Sequence, residues 1–290
     1  EPIIRERTID VLESLPVDET FNWVERVSIE LTTRMLATLF DFPFEERRKL
    51  THWSDVAVAT PGMGLIDSEE ERRAHMLDCL VYFQGLWEER AAAAEKNDFI
   101  SMLAHGESTR DMPAEEYLGN LLLLIVGGND TTRSTMSASV LCLHDNPGEF
   151  ARLTANPSLI PSMVSETIRW QTPLAHMRRR AKVDTELGGQ TIRAGDKVVM
   201  WYVSGNRDER MFDDPGAFRI ERENVRKHIS FGFGIHRCMG NRLAELQLRI
   251  LWEEILARFE RIEVVGPPVR TPSVFVKGYT ELPVRVVPKG

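Results

Sequence analysis

The segment His228-Ile229-Ser230-Phe231-Gly232-Phe233-Gly234-Ile235-His236-Arg237-Cys238-Met239-Gly240 concentrates residues able to do chemistry. Its one cysteine ends a glycine-rich stretch just before an amphipathic pattern from Leu243 to Phe259 that predicts a helix. A dinucleotide-binding GxGxxG would need glycine where Arg237 stands. A phosphate loop needs four residues between its glycines and then lysine, whereas five separate Gly234 from Gly240 and Asn241 follows. Zinc would need a further ligand set beside His228, His236 and Cys238, and no cysteines stand at a suitable spacing. What the segment does offer is a sulfur at a helix N-terminus, where partial positive charge and free backbone N–H groups favour the thiolate. Its glycines also let the backbone approach a flat, bulky ligand closely.

A second cluster, Gly127-Gly128-Asn129-Asp130-Thr131-Thr132, follows the apolar run Leu121–Val126. That run is apolar on all sides, which predicts burial. Two glycines inside a helix cost about 1 kcal/mol each relative to alanine, and an Asp and two Thr behind a buried run cost more unless paired or hydrated. Taken alone, the cluster reads equally as the middle of a helix running from Asp111-Met112-Pro113 to His144 or as a loop between two helices. A third pair, Glu166 and Arg169, has i, i+3 spacing on one helix face. Such a pair is usually a surface contact of little worth. Arg178-Arg179-Arg180, after Pro173, reads by itself as a solvated basic cluster.

The elements that must hold these residues follow from periodicity. Val24, Val27, Leu31, Met35 and Leu39 fall at helical spacing up to Pro43, and Thr60-Pro61-Gly62-Met63-Gly64 separates that region from a helix over about Glu70–Lys96. Ile160–Trp170 predicts another helix, Lys197–Tyr202 an extended run, and the tail from Val264 to Val287 short alternating strands. Helices first and strands later predict one mainly α domain with small β-sheets, α+β, over residues 1–290. With 36 Lys and Arg against 44 Asp and Glu, the net charge of −8 argues against a nucleic-acid binder. No central apolar run approaches the ~20 residues of a membrane span. Cys79, Cys142 and Cys238 lie far apart without a CxxC pair, which predicts a reducing, cytoplasmic compartment with Cys79 and Cys142 as buried small hydrophobes.

The pattern Phe231-x-x-Gly234-x-x-x-Cys238-x-Gly240 resembles the haem-binding loop of the cytochrome P450 family. The resemblance implies haem b with Cys238 as the iron ligand, its thiolate pushing electron density toward oxygen. It also implies that Phe231, Gly234 and Gly240 shape the loop, and that His236 and Arg179 meet the haem propionates. Gly127 and Gly128 leave room for O2 against the helix, Thr131 handles that oxygen, and Asp130 relays protons. Glu166 and Arg169 match the family's ExxR buttress. Its usual third member, an arginine, is here replaced by Ala217 in Pro215-Gly216-Ala217-Phe218, with Arg222 as a substitute. Leu123, Val126, Ala175, Met177, Val274 and Phe275 fall in the family's substrate-contact segments.

Gly127–Ser134 and His228–Phe259 look closest to the soluble bacterial alkane ω-hydroxylases. That implies terminal hydroxylation of medium-chain alkanes or fatty acids, with electrons from a [2Fe–2S] ferredoxin and an NADH-dependent reductase. Arg226, Lys227, Arg237, Arg242 and Arg249, opposed between 226 and 249 only by Glu245, would form the docking face. Relatives extend further at the N-terminus, so the resemblance implies a P450 fold lacking its N-terminal part. The alternative is a haem-binding sensor or electron carrier that does not oxygenate, against which Asp130 and Thr131 argue.

Overall fold

A computed structural model describes residues 1–290. The first half is helical: α1 Pro2–Glu13, a π-helical turn Val24–Ile29 running into α2 Glu30–Phe40, α3 Arg48–Val58, α4 Glu69–Ala92, α5 Phe99–His105 and α6 Ala114–Asp145. After α7 Pro147–Ala155 and α8 Ile160–Gln171 come short strands. β1 Phe21–Asn22 is the early exception; the others are β2 Met177–Arg180, β3 Thr185–Leu187, β4 Gln190–Ile192 and β5 Lys197–Met200. The one-turn α9 Tyr202–Gly205 and the long α10 Asn241–Arg258 precede β6 Phe259–Val264, β7 Val269–Arg270, β8 Tyr279–Glu281 and β9 Pro283–Pro288.

All pairings are antiparallel. β9 lies between β1 and β6, tying the tail to the start of the chain, while β2 pairs with β5, β3 with β4 and β7 with β8. The architecture is therefore mainly α with small sheets, as the sequence predicts. No helix is long and apolar enough to cross a membrane.

Two apolar clusters flank α6. One, with Trp23, Met136, Ile168, Leu251 and Trp252, joins it to α8, α10 and the β1–β9–β6 sheet; the other, with Phe40, Trp53, Phe83, Leu121 and Ile125, joins it to α2, α3 and α4. The choice at Gly127–Thr132 falls to a single continuous helix of 32 residues, ~48 Å long. Packing on both sides offsets the propensity cost of the glycines, because tertiary contacts supply most helical stability in proteins. One expectation is corrected. The run Leu121–Val126 is not buried all round: Leu121 and Ile125 are buried, but Leu123 is 70% exposed. Leu123, Gly127 and Thr131, at i, i+4 and i+8, share the one stripe of α6 that the two apolar clusters leave uncovered.

Candidate active site

Cys238 lies at the surface, three residues before the first residue of α10. The loop before it reverses through positive φ at Gly232 (68°) and Gly234 (71°), a conformation that L side chains resist. The Cys238 amide then donates to the Phe231 carbonyl at 2.8 Å, closing the loop. The Gly240 and Asn241 amides reach the sulfur, as a helix N-terminus allows. Even so, burial pushes the thiol above its ordinary value, outweighing those amides and Arg237. The amides at the helix start thus favour the thiolate, as expected, while burial opposes them.

Behind this loop stands a polar buttress. Glu166 and Arg169 are fully buried, not on the surface. Glu166 Oε2 and Oε1 accept from Arg169 Nε at 2.7 Å and Nη2 at 2.8 Å, and Oε1 also accepts from the Arg219 amide at 2.9 Å. Ala217 leaves no third arginine at its own position. Arg222 fills the role instead, its Nε lying 3.2 Å from both Glu166 oxygens, while both arginines donate to the Ala217 carbonyl.

Sequence reasoning missed Asn206, the residue that joins buttress to loop. Buried, it donates to Thr172 Oγ1 at 2.9 Å and Ser230 Oγ at 2.7 Å, accepts from the Ile229 amide at 2.7 Å, and offers its own carbonyl to Arg169 at 2.8 Å. Ser230 Oγ in turn donates to the Ile168 carbonyl at 2.9 Å. Asn206 stands in a polar, irregular stretch with no periodicity, so no local signal marks it. His228, its ring 5.3 Å from Phe231, is held down to about 4 by burial and by Arg169 and Arg237, and so is neutral at neutral pH.

On α6 the clustered residues divide between opposite faces. The Thr131 hydroxyl donates to the Gly127 carbonyl one turn back at 3.0 Å, on the exposed stripe. A Cβ on Gly127 would meet nothing within 4 Å, whereas one on Gly128 would come within 2.9 Å of Leu36 Cδ2. Gly128 is thus a packing glycine between α6 and α2, which corrects its expected place in an oxygen groove. Asp130 is fully buried, bonded by Ser54 Oγ of α3 at 3.1 Å and ion-paired with Arg133 at 2.6 Å. Arg133 also pairs with Asp55. Desolvation pushes the Asp130 carboxyl up to about 6, against the pull of Arg133 and Ser54.

The segments expected to contact substrate meet in part. Ala175 N donates to Phe275 O at 3.0 Å, Leu174 bridges Val276, and Met177 pairs with Met200 across the β2–β5 ladder. Arg179 stands on the Met177 side of β2, with Arg178 and Arg180 exposed on the other side. Val126 is half-buried, and Val274 is 80% exposed. His236 lies exposed in the turn Gly234–His236, and Phe233 beside it is 88% exposed. The residues fit a haem: one soft sulfur donor, open space where Cβ atoms on Gly127 and Gly234 would lie, exposed apolar groups, and Arg179 and His236 for carboxylates.

The family model for cytochrome P450 matches residues 155–277, from the last residue of α7 through the loop after β7. Over all 290 residues the chain is 36% identical to linalool 8-monooxygenase of Pseudomonas putida, covering 71% of that protein. The chain belongs to the cytochrome P450 family. It is accordingly a P450 monooxygenase, an oxidoreductase of a family that carries haem iron. Among solved P450 structures it superposes on cytochrome P450-153 from Novosphingobium aromaticivorans with TM-score 0.89 at 49% identity, covering 98% of this chain and 70% of that one. CYP153D17 from Sphingomonas sp. PAMC 26605 gives 0.90 at 52% identity, covering 98% and 71%.

Proposed function

We propose that this P450 hydroxylates the terminal carbon of medium-chain alkanes or fatty acids. The observation that carries the reading is the apolar character of every substrate-contact position, Leu123, Val126, Ala175, Met177, Val274 and Phe275, in a chain about half identical to the P450-153 structures. Haem, when bound, supplies oxygen activation and the oxidising power for C–H cleavage. Cys238 would hold the iron through its thiolate, and Arg179 and His236 would hold the propionates. The apolar positions bind an alkyl chain by area, ~25 cal/mol per Å2, and keep water away. Phe231, Gly234 and Gly240 keep the backbone close to the ring, and Gly127 leaves space beside it. The Thr131 hydroxyl, already held by the Gly127 carbonyl, would offer a hydrogen bond on the haem side of α6, and the Asp130 carboxyl would hold a proton on the opposite, buried face. Electrons come from a [2Fe–2S] ferredoxin and its NADH-dependent reductase.

A methyl C–H bond is stronger than a methylene one, so terminal selectivity requires that only the chain end reach the iron. Product analysis on octane with the haem-loaded protein, ferredoxin and reductase is the test. Mainly 1-octanol supports the reading, and mainly internal alcohols reject it.

A further inference from the structure

On the side of α10 away from the sheet, a cleft of about 250 Å3 opens against the first turns of α8, lined among others by Arg226, Arg242, Glu245 and Arg249. Three guanidinium groups from two separate elements converge on it, one from the 3-10 turn Val225–Lys227 and two from α10. They are not equally free. Arg249 is engaged by Glu1 at 2.9 Å, a carboxylate that tertiary structure brings in, and by Glu253, one turn further along α10, at 3.6 Å. Arg226 and Arg242 are exposed and form no ion pair, and Glu245 pairs with no cation although it shares the cleft.

Arg242 is the second residue of α10, a helix with no acidic residue in its first turn. A cation there faces the positive end of the helix dipole, and Arg226 adds a like charge across the cleft. This arrangement costs stability by itself and is relieved by an anion between the two groups. A planar guanidinium fork matches an oxyanion with two parallel hydrogen bonds. Guanidinium groups carried by two separate elements suit a tetrahedral ion with several acceptor oxygens better than a planar carboxylate.

We propose that the cleft binds a small oxyanion of the phosphate class between Arg226 and Arg242, with Glu245 as the opposing charge that limits affinity. The haem-loaded protein is titrated with inorganic phosphate by calorimetry, ionic strength being held constant with sodium chloride. One saturable site per chain is expected. Arg226→Ala and Arg242→Ala should each weaken it by about tenfold, the loss of roughly one charge-assisted contact. Glu245→Gln should tighten it several-fold, an effect a merely structural glutamate would not produce. Arg261→Ala, a distant residue in β6 already paired with Glu260 and Glu263, should leave it unchanged. Far-UV spectra establish that each variant is folded. The proposal is overturned if phosphate shows no saturation beyond the chloride response, if both arginine variants keep full affinity, or if only an acidic peptide, and not phosphate, binds in an Arg242-dependent way.

Discussion

Glu166 and Asp130 are both fully buried carboxylates with an arginine three residues later on the same helix, yet their surroundings differ in kind. Glu166 lies among donors. Arg169, Arg222 and the Arg219 amide all point at it, and no second acid competes for them. Asp130 has one hydroxyl and one guanidinium, and the guanidinium is shared with Asp55 of α3. The identical local spacing therefore yields a closed structural knot in one place and a carboxyl that exchanges its proton near neutral pH in the other. A buried carboxylate ringed by donors becomes a structural anchor, whereas one whose single guanidinium is shared with another acid is harder to keep charged.

The largest effect should come from opening the knot. Glu166→Ala leaves Arg169 and Arg222 buried without their carboxylate and should lower unfolding stability by about 3–5 kcal/mol, read as the urea midpoint. Because Asn206 couples Arg169 to Ser230 and Ile229, haem retention should fall with it. A variant that keeps both midpoint and haem would show that the knot is dispensable.

The next contrast is in pH. An acid whose folded pKa lies above its unfolded value keeps its proton longer when folded. Its contribution is therefore most favourable below about pH 4 and is lost as pH rises through the folded value. With Asp130 moved from 3.8 up to about 6, wild type should lose roughly 2 kcal/mol relative to Asp130→Asn between pH 4 and pH 7. Parallel stability profiles for the two proteins across that window would remove Asp130 from the titrating groups.

On the same helix, Gly127→Ala should raise stability by about 1 kcal/mol, since alanine is the better helix former and its Cβ meets nothing. Turnover should fall in that variant. Stability gained without any loss of turnover would deny Gly127 a place beside the reacting oxygen. Smallest in stability is Thr131→Ala, expected within ~0.5 kcal/mol of wild type because the group is largely outside the core. Its effect belongs in coupling: substrate and haem binding stay, while more of the NADH consumed appears as peroxide and less as alcohol. Unchanged coupling would return Thr131 to a helix-bending role.

Local chemistry was sufficient to read much of this protein from its sequence. The Cys238 loop, the stop at Pro43, the helices over Ile160–Gln171 and Asn241–Arg258 and the strands of the tail follow from spacing and turn residues, which act over a few positions. Only tertiary structure decided the rest, because burial and partner choice depend on residues far apart in the chain. Whether Gly127–Thr132 was loop or helix turned on packing from both flanks. Gly128 proved to be a contact with Leu36, some ninety residues earlier, and Asp130 met Ser54 and Asp55. Arg222 took the position that Ala217 vacates, and Asn206, unmarked by any pattern, tied α8 to the cysteine loop.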